Sequence, residues 1–215
     1  MFPMKRSLKP IAKSNITRAL CNTAWDLGNE TLYALCRSHP LHNRPDAVIA
    51  KVWLIGRAYA AAIERRKQPT SYGDAYYVEQ VAPAIIASGI DDWIASIPAS
   101  APSDATAHGT AITVHHRLTQ LFGTISHQQK RSLASKYLHF HRPNSFFIYD
   151  TRAIAAIRRA TPPARHAPPI DADEAEREYA PFYRRCLWLQ QKILSQHGLS
   201  VSPRQLDKVL LFDYE

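Results

Sequence analysis

Asp150 is the single carboxylate between Asp104 and Asp171, in a stretch (residues 105 to 170) that carries nine Lys or Arg and seven of the ten histidines. An isolated acid among cations invites chemistry. A carboxylate stabilises a carbon that turns cationic, such as a sugar carbon losing its base, and a partly neutral amine attacks such a carbon to form a Schiff base. Two amines precede Asp150, Lys136 by 14 residues and Lys130 by 20. Lys136 has Lys130, Arg131, His139 and His141 for company, and neighbouring cations with desolvation favour a neutral amine. Asp150, Lys136 and Lys130 are therefore the candidate catalytic residues, with the choice of lysine open.

The elements that must position them read as helical throughout. The expected class is all-α, with about seven or eight helices in two lobes of a single domain, residues 1 to 97 and 111 to 215, joined by a linker at 98 to 110 rich in Pro, Ser, Ala and Thr. Apolar residues at helical spacing run through 15 to 37, with a break expected at Gly28-Asn29. Asp46 is placed to cap the next helix, and 73 to 96 forms another, bent at Pro83 and Gly89. Helices over 114 to 122 and 128 to 140 flank a break at Gly123 to Ser126. Phe146 to Tyr149 forms a short extended run, and Asp150 then caps a helix, its carboxylate accepting from the amide of Arg152 or Ala153. The acidic stretch from 171 opens a long helix to about 196, its acids facing the positive end of the dipole, and Ser202-Pro203 starts a last short one.

The run SKYLHFHRPNSFFIYDTRAIAAI (135 to 157) resembles the core of the helix-hairpin-helix DNA glycosylase superfamily, nearest its 8-oxoguanine-glycosylase-like bacterial branch; the likeness covers residues 114 to 160. That resemblance implies a lysine on the second hairpin helix and an aspartate at the start of the next, which Ile148-Tyr149-Asp150-Thr151-Arg152-Ala153 fits. Lys136 matches the lysine of the bacterial branch, and Lys130 the hairpin-proximal lysine of other members. It further implies cleavage of an N-glycosidic bond, with or without strand nicking at the abasic site, after the base has left the stack. The hairpin Gly-x-Gly of the superfamily is replaced by Gly123-Thr124-Ile125-Ser126-His127-Gln128. On this reading His127, Gln129, Arg131, Arg142, Arg152, Arg158 and Arg159 contact nucleic acid, and Arg57, Tyr59, Tyr137, Phe140 and Tyr149 line the pocket. Arg57 has a plainer alternative, an ion pair with Glu64 seven residues on.

Composition bounds the rest. The chain has 215 residues and a net charge of +9, which favours a polyanionic partner, DNA ahead of RNA. Three cysteines without CxxC spacing predict no disulfide framework and a reducing, cytoplasmic setting. The basic start lacks the apolar run of a signal peptide, and no stretch is apolar enough to span a membrane. His139 and His141 are two residues apart and diverge on a helix, so no metal is expected, and no cofactor. Two rivals to an enzyme remain: a non-catalytic DNA-binding module, and a bacterial defence or mobile-element protein whose charge docks a protein partner. Oligomeric state is not encoded in any feature of the chain.

Overall fold

Ten α-helices and no strand make up the described residues, as the recurrence of apolar residues three and four apart dictates. The structure is a computed structural model that describes residues 11 to 65, 75 to 100, 102 and 104 to 212. The basic start and the first residues of the helix expected from 73 lie outside the described residues. In chain order the helices are α1 (Lys13–Leu20), α2 (Ala24–Ser38), α3 (Pro45–Ala58), α4 (Ala82–Ile86), α5 (Ile90–Ala95), α6 (Ala105–Ser126), α7 (Arg131–His141), α8 (Thr151–Ala160), α9 (Tyr179–His197) and α10 (Pro203–Phe212).

Breaks fall where backbone chemistry demands, not always where glycine suggests. Gly28 lies inside α2, and the break comes earlier, where Asp26 accepts from the Thr23 amide at 2.8 Å and closes the start of that helix. Asp46 sits in the first turn of α3 paired with Arg44, and Pro45 opens the helix instead. Pro83 has no N–H to donate, and the turn before it widens into a π-helix, Tyr77–Val81. Residues 105 to 110 are not a linker. Asp104 accepts from the Ala107 amide at 2.8 Å and starts α6, which runs unbroken through Gly123. The chain turns at His127, held in the left-handed region with φ 54°.

The acidic stretch also departs from expectation. Residues 171 to 178 are non-helical, and α9 begins only at Tyr179. Glu176 supplies the reason: one carboxylate oxygen accepts from the amides of Glu178 (3.0 Å) and Tyr179 (2.7 Å), an acceptor for the helix end that a continued helix would forfeit. The stretch crosses α6 so closely that a Cβ on Gly109 would run into the Asp171 carbonyl.

A single apolar core draws on both expected lobes, with Ile16, Val52, Ile55 and Ile85 joining Leu118, Phe122, Tyr137, Phe146 and Val209. Helix α1 packs on α10, and α2 and α3 pack on α7. Within that core Phe146 to Tyr149 is neither helix nor strand, so side chains answer its buried backbone. Ser135 Oγ accepts from the Tyr149 amide at 3.0 Å, Lys136 Nζ donates to the Tyr149 carbonyl at 2.9 Å, and His139 Nδ1 donates to the Phe146 carbonyl at 2.8 Å. Tyr179 and Tyr183 hydroxyls take the Phe147 and Ser145 carbonyls. This clamp fixes where Asp150 emerges.

Candidate active site

Asp150 ends the clamped run and begins α8, its Oδ1 accepting from the Ala153 amide at 2.9 Å. Its Oδ2 lies 3.7 Å from Lys136 Nζ, beyond hydrogen-bond length but within Coulombic reach. The two partners differ in exposure: the Lys136 side chain is 0% exposed and that of Asp150 34%. Besides the Tyr149 carbonyl, Lys136 donates to Ser132 Oγ at 2.8 Å, and its ammonium sits 5.6 Å from the Tyr59 ring centre. Burial holds the Lys136 pKa below the ordinary lysine value, against the pull of Asp150 and Asp207.

Two clefts meet at this carboxylate. One, of about 530 Å³, opens between the turn after α3 and the start of α7, and includes Arg65, Gln129, Lys130, Arg131 and Tyr149. The other, of about 510 Å³, opens between α2, the end of α3 and α10, and includes Trp25, Arg204, Asp207, Lys208 and Phe212. Tyr59, Ala60, Asp150 and Arg152 belong to both. Ala60 has φ 50°, the left-handed residue of a Schellman turn in which the Ala61 amide reaches the Gly56 carbonyl at 2.8 Å. That turn shapes the wall the clefts share.

The expected residues separate accordingly. Asp150, Arg152 and Tyr59 come together at the junction, with Lys130, Arg131, Gln129 and Tyr149 along the α7 cleft. Lys130 donates to the Arg65 carbonyl at 2.8 Å and to Gln128 Oε1 at 3.0 Å. Lys136 lines neither cleft and lies beneath Asp150. Tyr137 and Phe140 are core residues, Tyr137 hydrogen-bonded to His42 and Phe140 packed on Tyr33 and Tyr59. Arg57 is exposed, pairs with Glu64 and lies over Trp53, away from both clefts. Arg142 donates to the Ile97 carbonyl in a separate hollow beside Cys36 and His141. His127 is exposed at the α6–α7 turn, and Arg158 and Arg159 are exposed in the last turn of α8.

The positive stretch is less bare than its sequence suggests. Glu174 pairs with Arg117 at 2.9 Å, Glu176 with Arg131 at 2.7 Å, and Glu178 approaches Arg158 at 4.0 Å. The acids just beyond the stretch fold back over it. Nor do its buried histidines add charge: burial lowers the pKa of His115 to about 3 and of His139 to about 4, and that of His141 well below the ordinary value. His139 illustrates the neutral state, Nδ1 donating to the Phe146 carbonyl while Nε2 accepts from the Tyr33 hydroxyl at 2.6 Å.

Sequence reasoning missed the α10 side of the site. Arg204 donates to Asp207 at 2.7 Å, and Lys208 reaches Asp26 at 2.8 Å and the Cys21 carbonyl at 2.6 Å. Asp207 is 5% exposed, and burial raises its pKa to about 6 despite Arg204. The available signal was an acid set between Leu206 and Val209 in an otherwise apolar stripe. The three cysteines are free thiols, no cluster of metal-ligating side chains occurs among the described residues, and no described helix is long and apolar enough to cross a membrane. Comparison with family models, curated proteins and solved structures finds no match to the chain.

Proposed function

We propose that this protein binds DNA across the junction of the two clefts and cleaves an N-glycosidic bond there, with Asp150 as the catalytic residue. The observation that carries this reading is that Asp150 is the one carboxylate shared by both clefts, held by a helix start on one oxygen and facing a buried ammonium with the other. In such a reaction the electron pair of the C–N bond leaves with the base, the sugar carbon becomes cationic, and the carboxylate stabilises it until water adds. Each cleft has room for an extruded base. Arg152, exposed at the junction, has no ion-pair partner among the described residues and meets the backbone phosphates.

In this scheme Lys136 positions Asp150 and is not the nucleophile. It donates to Ser132 and to the Tyr149 carbonyl, faces the Asp150 carboxylate at 3.7 Å, and its side chain has no open surface. The reaction is therefore hydrolysis without a Schiff base. The test is base release from duplex and single-stranded oligonucleotides bearing a panel of damaged bases, followed by alkali. Wild-type protein should leave alkali-labile sites and Asp150→Asn none, while borohydride should trap no adduct. An adduct abolished by Lys130→Ala would move the chemistry to that amine. No base release from any substrate would overturn the enzymatic reading.

A second reading, a DNA-binding module without chemistry, is favoured by one observation: both candidate amines hydrogen-bond to protein acceptors. It predicts salt-sensitive binding that Asp150→Asn leaves in place, with no released base.

A further inference from the structure

The cations around Asp150 fall into two groups. Arg117, Arg131 and Arg158 face Glu174, Glu176 and Glu178, while beside α10 Arg204 and Lys208 are held by Asp207 and Asp26. Arg65 and Arg152 differ. Both are exposed, both line the α7 cleft, and neither has a carboxylate partner among the described residues.

The two come from separate elements, Arg65 from the chain beyond α3 and Arg152 from the first turn of α8. Arg65 is anchored twice: its guanidinium donates to the Ala60 carbonyl, and its own carbonyl accepts from Lys130 Nζ at 2.8 Å. An arginine has more donors than one carbonyl uses, so the rest are left for a ligand. Gln129 and Thr151 add exposed neutral donors to the same cleft. The one carboxylate of the lining, Asp150, faces the Lys136 ammonium.

Charge then selects the anion. A phosphate inside a nucleic-acid strand is a diester with a single negative charge. A phosphomonoester carries about two near neutral pH and presents a further acceptor oxygen. Two guanidinium forks in one hollow match the monoester in charge and in planar hydrogen bonding. A continuous strand asks instead for a run of cations leading away from the cleft. Beyond Arg131 that run is closed by the folded-back acids, Glu174, Glu176 and Glu178.

We propose that the α7 cleft is a phosphomonoester site, in which Arg65 and Arg152 clasp the terminal phosphate of a nucleotide. It rests on the N-glycosidic reading only for what carries the phosphate, since Asp150 lines the same cleft. A strand end and a free nucleotide present the same group, and the test separates them.

The full wild-type chain is titrated with thymidine and with thymidine monophosphate by calorimetry. Fluorescence anisotropy then compares one internally labelled single-stranded oligomer, phosphorylated at one end, at the other, or at neither. The terminal phosphate should tighten binding by at least about tenfold, the scale of a charge-assisted hydrogen bond. Arg65→Gln should bring that ratio close to one, and Arg152→Gln, on another element, should do the same. Arg57→Gln removes an equal charge from a surface away from both clefts and should leave the ratio intact. A gain in the oligomer marks a strand end, and a gain in the mononucleotide alone marks a free nucleotide. No gain in either, or a gain that survives both cleft variants, overturns the site. A gain lost equally in Arg57→Gln overturns it too, because net charge would then explain the preference. None of these measurements needs base release. A phosphate preference without base release sinks the proposed reaction alone, and base release without a phosphate preference sinks this site alone.

Discussion

Lys136 Nζ and Asp150 Oδ2 face each other at 3.7 Å, the ammonium without solvent and the carboxylate one-third exposed. The asymmetry has an energetic consequence. Asp150→Asn keeps a side-chain acceptor for the start of α8, since asparagine caps as well as aspartate. What it removes is the charge opposite a buried cation. An orphaned buried ion costs several kcal/mol, and partial exposure of the lost carboxylate trims this to about 1–3 kcal/mol. Lys136→Met in the Asp150→Asn background removes the orphan, so the double variant should be more stable than Asp150→Asn alone. Urea unfolding of the four proteins of this cycle measures it. A double variant whose losses simply add would show that the pair is not coupled.

Ala60 occupies the left-handed position of the turn that ends α3, with φ 50°. A Cβ in that region costs about 1 kcal/mol, which glycine escapes at some expense in unfolded-chain entropy. Ala60→Gly should therefore raise stability by up to about 1 kcal/mol, and Ala60→Val should lower it by more than that. Thermal unfolding of the three proteins gives the order. A lower midpoint for the glycine variant would mean that the shared cleft wall is held by something other than backbone conformation.

Local chemistry was legible in the sequence, and partners distant in the chain were not. The helical class and the Asp150 cap follow from residues within one turn of each other, and the structure bears both out. The acids from 171 looked like a helix start because their type suits the positive end of a dipole. Glu176 instead spends its carboxylate on Arg131, 45 residues away, and on the amides that begin α9. Gly123 looked like a break, yet helix geometry accepts it, and the turn went to His127. Lys136 looked like a nucleophile because it precedes an aspartate at the right spacing. Its burial comes from the returning run and from Tyr59 just after α3, which no spacing within the motif announces. Asp207 was missed for the same reason: its charged neighbours include Asp150 and Lys136, far away in the chain.

The folded-back acids make the positive face adjustable. The Glu174 and Arg117 side chains are both nearly half exposed, so Glu174→Gln should change stability by less than about 0.5 kcal/mol. Freed of its partner, Arg117 becomes available to a phosphate. On the proposed DNA-binding reading, Glu174→Gln and Glu178→Gln should tighten binding at low salt. Each arginine that gains a phosphate should steepen the log affinity against log salt slope by about 0.9. Fluorescence anisotropy over a salt series reads both. Unchanged affinity and slope would place the DNA track away from α6 and α9.

Four histidines, His42, His115, His139 and His141, are buried in their neutral forms, and burial is the leading cause in each. His42 titrates at about 4, as does His139, and His115 at about 3, against 6.5 for a free histidine. Between these values the unfolded chain takes up protons that the native protein refuses. Stability is therefore complete above pH 6.5 and declines as pH falls toward 4. Asp207 works the other way: its native pKa of about 6 lies above the ordinary 3.8, so in that window the native state holds a proton the unfolded chain lacks. It offsets one histidine, leaving a net uptake on unfolding that approaches about three protons near pH 5. Urea midpoints measured from pH 7.5 to 4.5 should fall steadily. Asp207→Asn should steepen the fall, and His115→Gln, which retains a donor for the Arg131 carbonyl, should flatten it by about one proton. A midpoint that holds level down to pH 5 would mean these rings are not enclosed in their neutral forms.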